Sequence, residues 1–107
     1  MSDHLVVFIT APAGAGETQL ARTLVEERLV ACVNLVPGVR SLYHWEGEVQ
    51  DDCETLLICK THRERFAALE ARVQALHPYD VPEVIALPIE QGAASYLAWV
   101  TAQTQGS

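Results

Sequence analysis

LVACVNLVPGVRSLYHWEGEV (residues 29–49), answered by ETLLICKT (residues 54–61), decides how this chain folds. Both runs are rich in valine, leucine, isoleucine, threonine and aromatic residues, a composition suited to extended strands. They meet at Glu46-Gly47-Glu48 and read as one long β-hairpin. Pro37-Gly38 predicts a bend or bulge in the first run, because proline cannot donate to a ladder. Beyond that bend, Val39, Ser41, Tyr43 and Trp45 share one face, and Arg40, Leu42, His44 and Glu46 share the other. Neither face is cleanly polar. A 107-residue chain is too small to cover such an arm alone, and its unpaired ladder groups and apolar side chains require another chain.

Working outward from the arm, Leu5–Thr10 is a continuous apolar run, as expected of a central strand. Ala11-Pro12-Ala13-Gly14-Ala15-Gly16 ends it, and a helix is predicted over Glu17–Leu29, with Leu20, Ala21, Leu24, Val25 and Arg28 along one side. The hairpin strands are expected at Ala31–Trp45 and Val49–Lys60. Thr61-x-x-Glu64 then matches a capping box, and Phe66, Leu69, Val73 and Leu76 follow at helical spacing. Pro78 and Pro82 stop that helix. Glu83–Ile89 reads as a fourth strand, at an edge because of Pro88. A last helix opens at Gly92 or Ser95, and the tail Thr101–Ser107 is expected to fray. The order β-α-β-β-α-β-α predicts an α+β fold, a ferredoxin-like βαββαβ sandwich with an extra C-terminal helix and a long hairpin between strands 2 and 3. Right-handed crossovers place strands 1 and 3 in the centre. Residues 1–107 read as one domain.

Composition narrows the function. Fourteen acidic residues against seven basic ones give a net charge of −7, which repels phosphate backbones and argues against a nucleic-acid partner. Met1-Ser2-Asp3-His4 is not basic and the run after it is too short for a signal core, so no leader is read here. No stretch approaches the ~20 apolar residues of a membrane span. Cys32, Cys53 and Cys59 form no disulfide-like pattern, consistent with reduced thiols in the cytoplasm. Gly14-Ala15-Gly16-Glu17-Thr18 is not a phosphate loop, because a carboxylate stands at Glu17 where lysine is required. Ser41 and Ser95 have no evident His-Asp partners, so no catalytic centre is expected.

Ala11-Pro12, the hairpin itself and His77-Pro78-Tyr79-Asp80-Val81-Pro82-Glu83 occur in one order along the chain. In this wording the chain resembles the divalent-cation tolerance (CutA) family over about Val6–Val100. The resemblance implies a homotrimer of ferredoxin-like subunits. It also implies a binding or sensing role, without enzymatic activity, linked with tolerance to copper and other divalent metals. Some members carry a cysteine before Thr-Ala-Pro and a His-His pair before Pro-Tyr, to which copper binding is assigned. Ile9 and Leu76 occupy those positions here and His77 alone remains, with Cys32 as a helper. The expectation is therefore weak binding of Cu²⁺ or another divalent cation. Trp45, Lys60, Tyr79 and Glu83 match family positions near clefts between subunits. They are suited to a small anion or zwitterion or to anchoring an interface, with Lys60 as the expected cation for Glu83. The rival reading is a small-molecule sensor similar to the PII signalling proteins, also ferredoxin-like trimers. A third is a partner-organising trimer with no direct metal role.

Overall fold

A computed structural model describes residues 3–105. Four strands, His4–Pro12 (β1), Cys32–Trp45 (β2), Glu48–His62 (β3) and Val84–Pro88 (β4), form one antiparallel sheet in the order β2-β3-β1-β4. As expected, β1 and β3 are central and β2 and β4 are edges. Helices Glu17–Glu26 (α1), Phe66–Leu76 (α2) and Ala94–Thr104 (α3) complete the ferredoxin-like sandwich with its added C-terminal helix. None of the helices among the described residues is long and apolar enough to cross a membrane.

Strict alternation along β1 creates two different sheet faces. Leu5, Val7, Ile9 and Ala11 are buried with Leu57 and Cys59 of β3, under Leu20, Ala21 and Leu24 of α1 and Leu69 and Val73 of α2. Removing that apolar surface from water is the main favourable contribution to the fold. On the opposite face, Phe8, Leu56 and Ile58 are only partly covered, and Val36, Ile85 and Leu87 are exposed. The two faces are both apolar, yet one chain covers only one of them fully.

The arm is as long as the sequence implies. β1 pairs with β3 only from Glu54 onward, so β2 and β3 continue past it as a two-stranded ribbon from Arg40 to Cys53. Glu46 and Gly47 both have positive φ (53° and 81°) at its tip, the backbone of a two-residue hairpin turn matched to strand twist. The register slips between Val36 and Val39, where Gly38 has φ 76°. Three steps on β2 oppose two on β3, so a bulge at Pro37-Gly38 inserts one residue and reverses the alternation beyond it. Val39, Ser41, Tyr43 and Trp45 thereby join the incompletely covered face, together with Asp52 and Glu54.

Several local expectations are corrected. Helix α1 ends at Glu26, not Leu29, because Arg28 adopts φ 58°. Arg28 N–H donates to Val25 O and Leu29 N–H to Leu24 O, the paired bonds of a Schellman ending. Arg28 lies past the helix and reaches the carbonyl of Gln103 instead of lying along the apolar stripe. The Thr61–Glu64 capping box does not form: Thr61 is buried and donates to Leu29 O at 2.7 Å, while His62 Nδ1 accepts the Glu64 amide. The last helix opens at Ala94, and Thr101–Thr104, expected to fray, lies inside it with Thr104 buried; residues 106 and 107 lie outside the described range. Cys32 is only partly covered.

Candidate functional site

Where the ribbon leaves the sheet, the segment after α2 folds across the incompletely covered face and closes one side of a groove of about 730 Å³. Its walls are Tyr43 and Trp45 from β2, Glu54 from β3, and Pro78, Tyr79, Asp80, Val81 and Glu83 from the turn, with Thr10, Arg40, Ser41 and Leu42 completing the lining. Two prolines, Pro78 and Pro82, stiffen the turn. Polar contacts fasten it: Gln74 donates to the Asp80 carbonyl at 2.9 Å, and the Tyr79 amide donates to His77 Nδ1 at 3.1 Å.

His77 is the pin of this arrangement. It is 6% exposed, its Nδ1 accepts from Tyr79, and its Nε2 lies 2.7 Å from the carbonyl of Thr10. Because Nδ1 is the acceptor, Nε2 carries the hydrogen and donates to that carbonyl. The ring also lies 4.8 Å from that of Tyr79. Both nitrogens are therefore committed to protein partners.

A layer of phenols and carboxylates lies beneath the groove. Tyr79 OH donates to Glu54 Oε2 at 3.0 Å, and Tyr43 OH donates to Asp52. Burial, and then the bond to Glu54, pushes the Tyr79 phenol well above its ordinary range. The bond to Asp52 is the main cause raising that of Tyr43. Both phenols remain protonated at neutral pH, and both protons are used within the protein. Glu54 is a carboxylate only 4% exposed. The single basic lining residue, Arg40, is paired with Asp51 through two bonds of 2.9 and 2.7 Å.

Of the candidate residues named from sequence, Trp45, Tyr79 and Glu83 converge on this groove, whereas Lys60 does not. Lys60 lies six β3 positions from Glu54, about 20 Å along the strand, and donates to Asn34 Oδ1. Within one chain it is not the cation that holds Glu83. Tyr43, Asp52 and Glu54 were missed as site residues. Glu54 left one sequence signal, a carboxylate at the position that alternation shares with Leu56 and Ile58.

Copper does not fit the residues of a single chain. Cys32 pairs in register with Lys60 and then Val6, four positions from Thr10, where His77 is anchored. That separates Cys32 from His77 by more than about 13 Å along the strand. Among the described residues, no three His, Cys, Asp or Glu side chains converge as a metal-ligand set.

Comparison with known proteins places this geometry in a family. Residues 5–103 match the family model of the CutA1 divalent ion tolerance protein. The divalent-cation tolerance protein CutA of Thermus thermophilus is 52% identical over 92% of this chain and 96% of its own. A chloroplastic CutA protein of Arabidopsis thaliana is 50% identical over 94% of this chain, which spans only 56% of that protein's length. Among solved structures, the Thermus thermophilus protein superposes with TM-score 0.91 at 51% identity, covering 95% of this chain and 99% of that one. CutA1 of Oryza sativa gives 0.94 at 48% identity, covering 99% and 97%. The chain belongs to the CutA1 divalent ion tolerance family.

Proposed function

We propose that this protein is a non-enzymatic, homotrimeric binding or sensing protein of the cytoplasm that contributes to divalent-metal tolerance. The groove between the arm and the Pro78–Glu83 turn is its ligand site. The observation that carries the reading is the convergence of Tyr43, Trp45, Tyr79, Glu54 and Glu83 on one groove, in a chain whose relatives are named for cation tolerance. Pockets of this kind combine aromatic walls with a few fixed polar groups and bind small molecules. Support for assembly is physical. Val36, Ile85 and Leu87 are exposed on one sheet face, and Leu42 and Val49 are 63% and 64% exposed on the ribbon. Cyclic self-association would cover both regions and pair the free strand edges.

Divalent metal is then a weak and unselective direct ligand, and copper leads only through its general affinity for nitrogen and sulfur donors. The groove favours the PII-like reading, in which a small molecule is the physiological signal and the metal effect is indirect. Sedimentation combined with calorimetry tests the proposal. A trimer at micromolar concentration with millimolar copper affinity is expected. A stable monomer would refute the assembly, and a stoichiometric micromolar or tighter copper site would refute the weak-metal reading.

A further inference from the structure

We infer that the groove takes a small organic cation, an alkylammonium or guanidinium group, with Glu54 as its principal partner and Tyr43, Trp45 and Tyr79 as its walls. This rests on the reading of the groove as a ligand site and names the chemistry it selects. Charge is the first argument. Glu54, Asp80 and Glu83 line the groove, and the only lining guanidinium, Arg40, is already paired with Asp51. An anion would enter a groove lined by three carboxylates, whose one guanidinium is already paired.

Hydrogen-bond polarity is the second argument. The phenol protons of Tyr43 and Tyr79 are spent on Asp52 and Glu54, which leaves their oxygens as acceptors. Glu54 Oε2 receives Tyr79, while Oε1 takes no hydrogen bond among the described residues and, since none of their buried side-chain oxygens is left without a partner, it is open to the groove. The ligand that matches is a donor with positive charge.

Coordination number separates an organic cation from a metal ion. Divalent ions such as calcium and magnesium need about six or more oxygens converging at 2.0–2.6 Å, and among the described residues no three acidic, His or Cys side chains converge. A diffuse ammonium or guanidinium group needs only one carboxylate and aromatic faces, each face contributing through the ring quadrupole. The net charge of −7 raises the local concentration of any such cation.

The cation can be a free amine or the lysine side chain of a second copy of the chain, and one experiment covers both. In a Trp99→Phe background, Trp45 is the sole indole, and its emission and the binding heat are followed against n-butylammonium, n-butylguanidinium and sodium butyrate. Saturation by both cations at millimolar concentration is expected, with no response to butyrate. Glu54→Gln should weaken cation binding at least tenfold, since Gln still accepts from Tyr79 but carries no charge. Glu83→Gln, at the exposed rim, should weaken it two- to threefold and provides the reading if the Glu54 variant fails to fold. Sedimentation during the titration identifies the source: cation binding to an unchanged assembly indicates a free amine, and binding only as the assembly dissociates indicates a neighbour's lysine. Either outcome supports the cation chemistry. Butyrate binding without cation binding would overturn the inference and leave the groove as a ligand site. Binding of neither would overturn both, and an unchanged cation affinity in both carboxylate variants would remove Glu54 and Glu83 from the site.

Discussion

His77→Ala offers the sharpest distinction between a metal ligand and a structural pin. The substitution removes two hydrogen bonds, one to the Thr10 carbonyl and one from the Tyr79 amide, at a residue that is 6% exposed. A buried backbone group left without its partner costs roughly 1–3 kcal/mol. Both bonds are only part-buried, so a value below the middle of that range, about 1.5 kcal/mol, applies to each. Lost contact between the His77 and Tyr79 rings adds about 0.5–1 kcal/mol. Together these give about 3–4 kcal/mol, a large share of the 5–15 kcal/mol that holds a typical domain. With a urea slope of about 2 kcal/mol per molar, the midpoint should fall by about 1.5–2 M. Unfolding must be followed at one fixed protein concentration, because the proposed association would itself add stability. His77→Gln retains a donor for Thr10 and should recover about half of the loss. A His77→Ala variant that loses less than 1 kcal/mol and also loses copper binding would refute the reasoning, since it would show the imidazole free to coordinate metal.

Three further outcomes follow from individual groups. Hydrogen bonds from the Gly14 amide, and then the Thr55 hydroxyl, hold the Glu17 carboxyl below the ordinary range. Its contribution to stability is therefore present above that ordinary range and lost as pH falls through the lowered folded value, so acid unfolding of Glu17→Gln should depend less steeply on pH than that of the parent protein. Burial pushes the Cys59 thiol up to about 12, so alkylation followed by mass spectrometry should label exposed Cys53 in the native protein and Cys59 only in denaturant. Gly47→Ala should cost about 1 kcal/mol in a denaturant melt, because φ is +81° there and an added methyl meets nothing within 4 Å, which leaves the backbone as the only source of strain.

Elements set by hydrophobic period were legible in the sequence. The central strand, the arm, its turn and the sheet order follow from alternation, a Gly at the tip and the handedness of crossovers. Details that depend on one residue's tertiary partner were not. Thr61 carries a capping signal, but its hydroxyl is buried against the Leu29 carbonyl, and a bond across the fold displaces a local one. Arg28 carries no sign of the left-handed conformation it adopts, since glycine is the usual residue there. The candidate site was half legible. Trp45, Tyr79 and Glu83, named from the resemblance, line one groove, but the one-residue bulge that turns Tyr43 into the same groove fixes its partners only once the β2–β3 register is known.

That bulge would tie the groove to the proposed assembly. By reversing the alternation after Val36, it puts Tyr43 and Trp45 on the same sheet face as Phe8, Leu56, Ile58 and Ile85, so the aromatic wall and the apolar face form one continuous surface. Any chain that covers the apolar face must end close to Tyr43 and Glu54, and any ligand in the groove lies at the rim of that contact. If the ligand binds the assembled form better than the isolated chain, the coupling is reciprocal, and assembly strengthens ligand binding by the same factor. A groove on a helix-covered face would have no such connection. If the proposed function holds, the Pro37-Gly38 bulge gives the fold a place where occupancy by a small molecule and association between chains would be read by the same side chains.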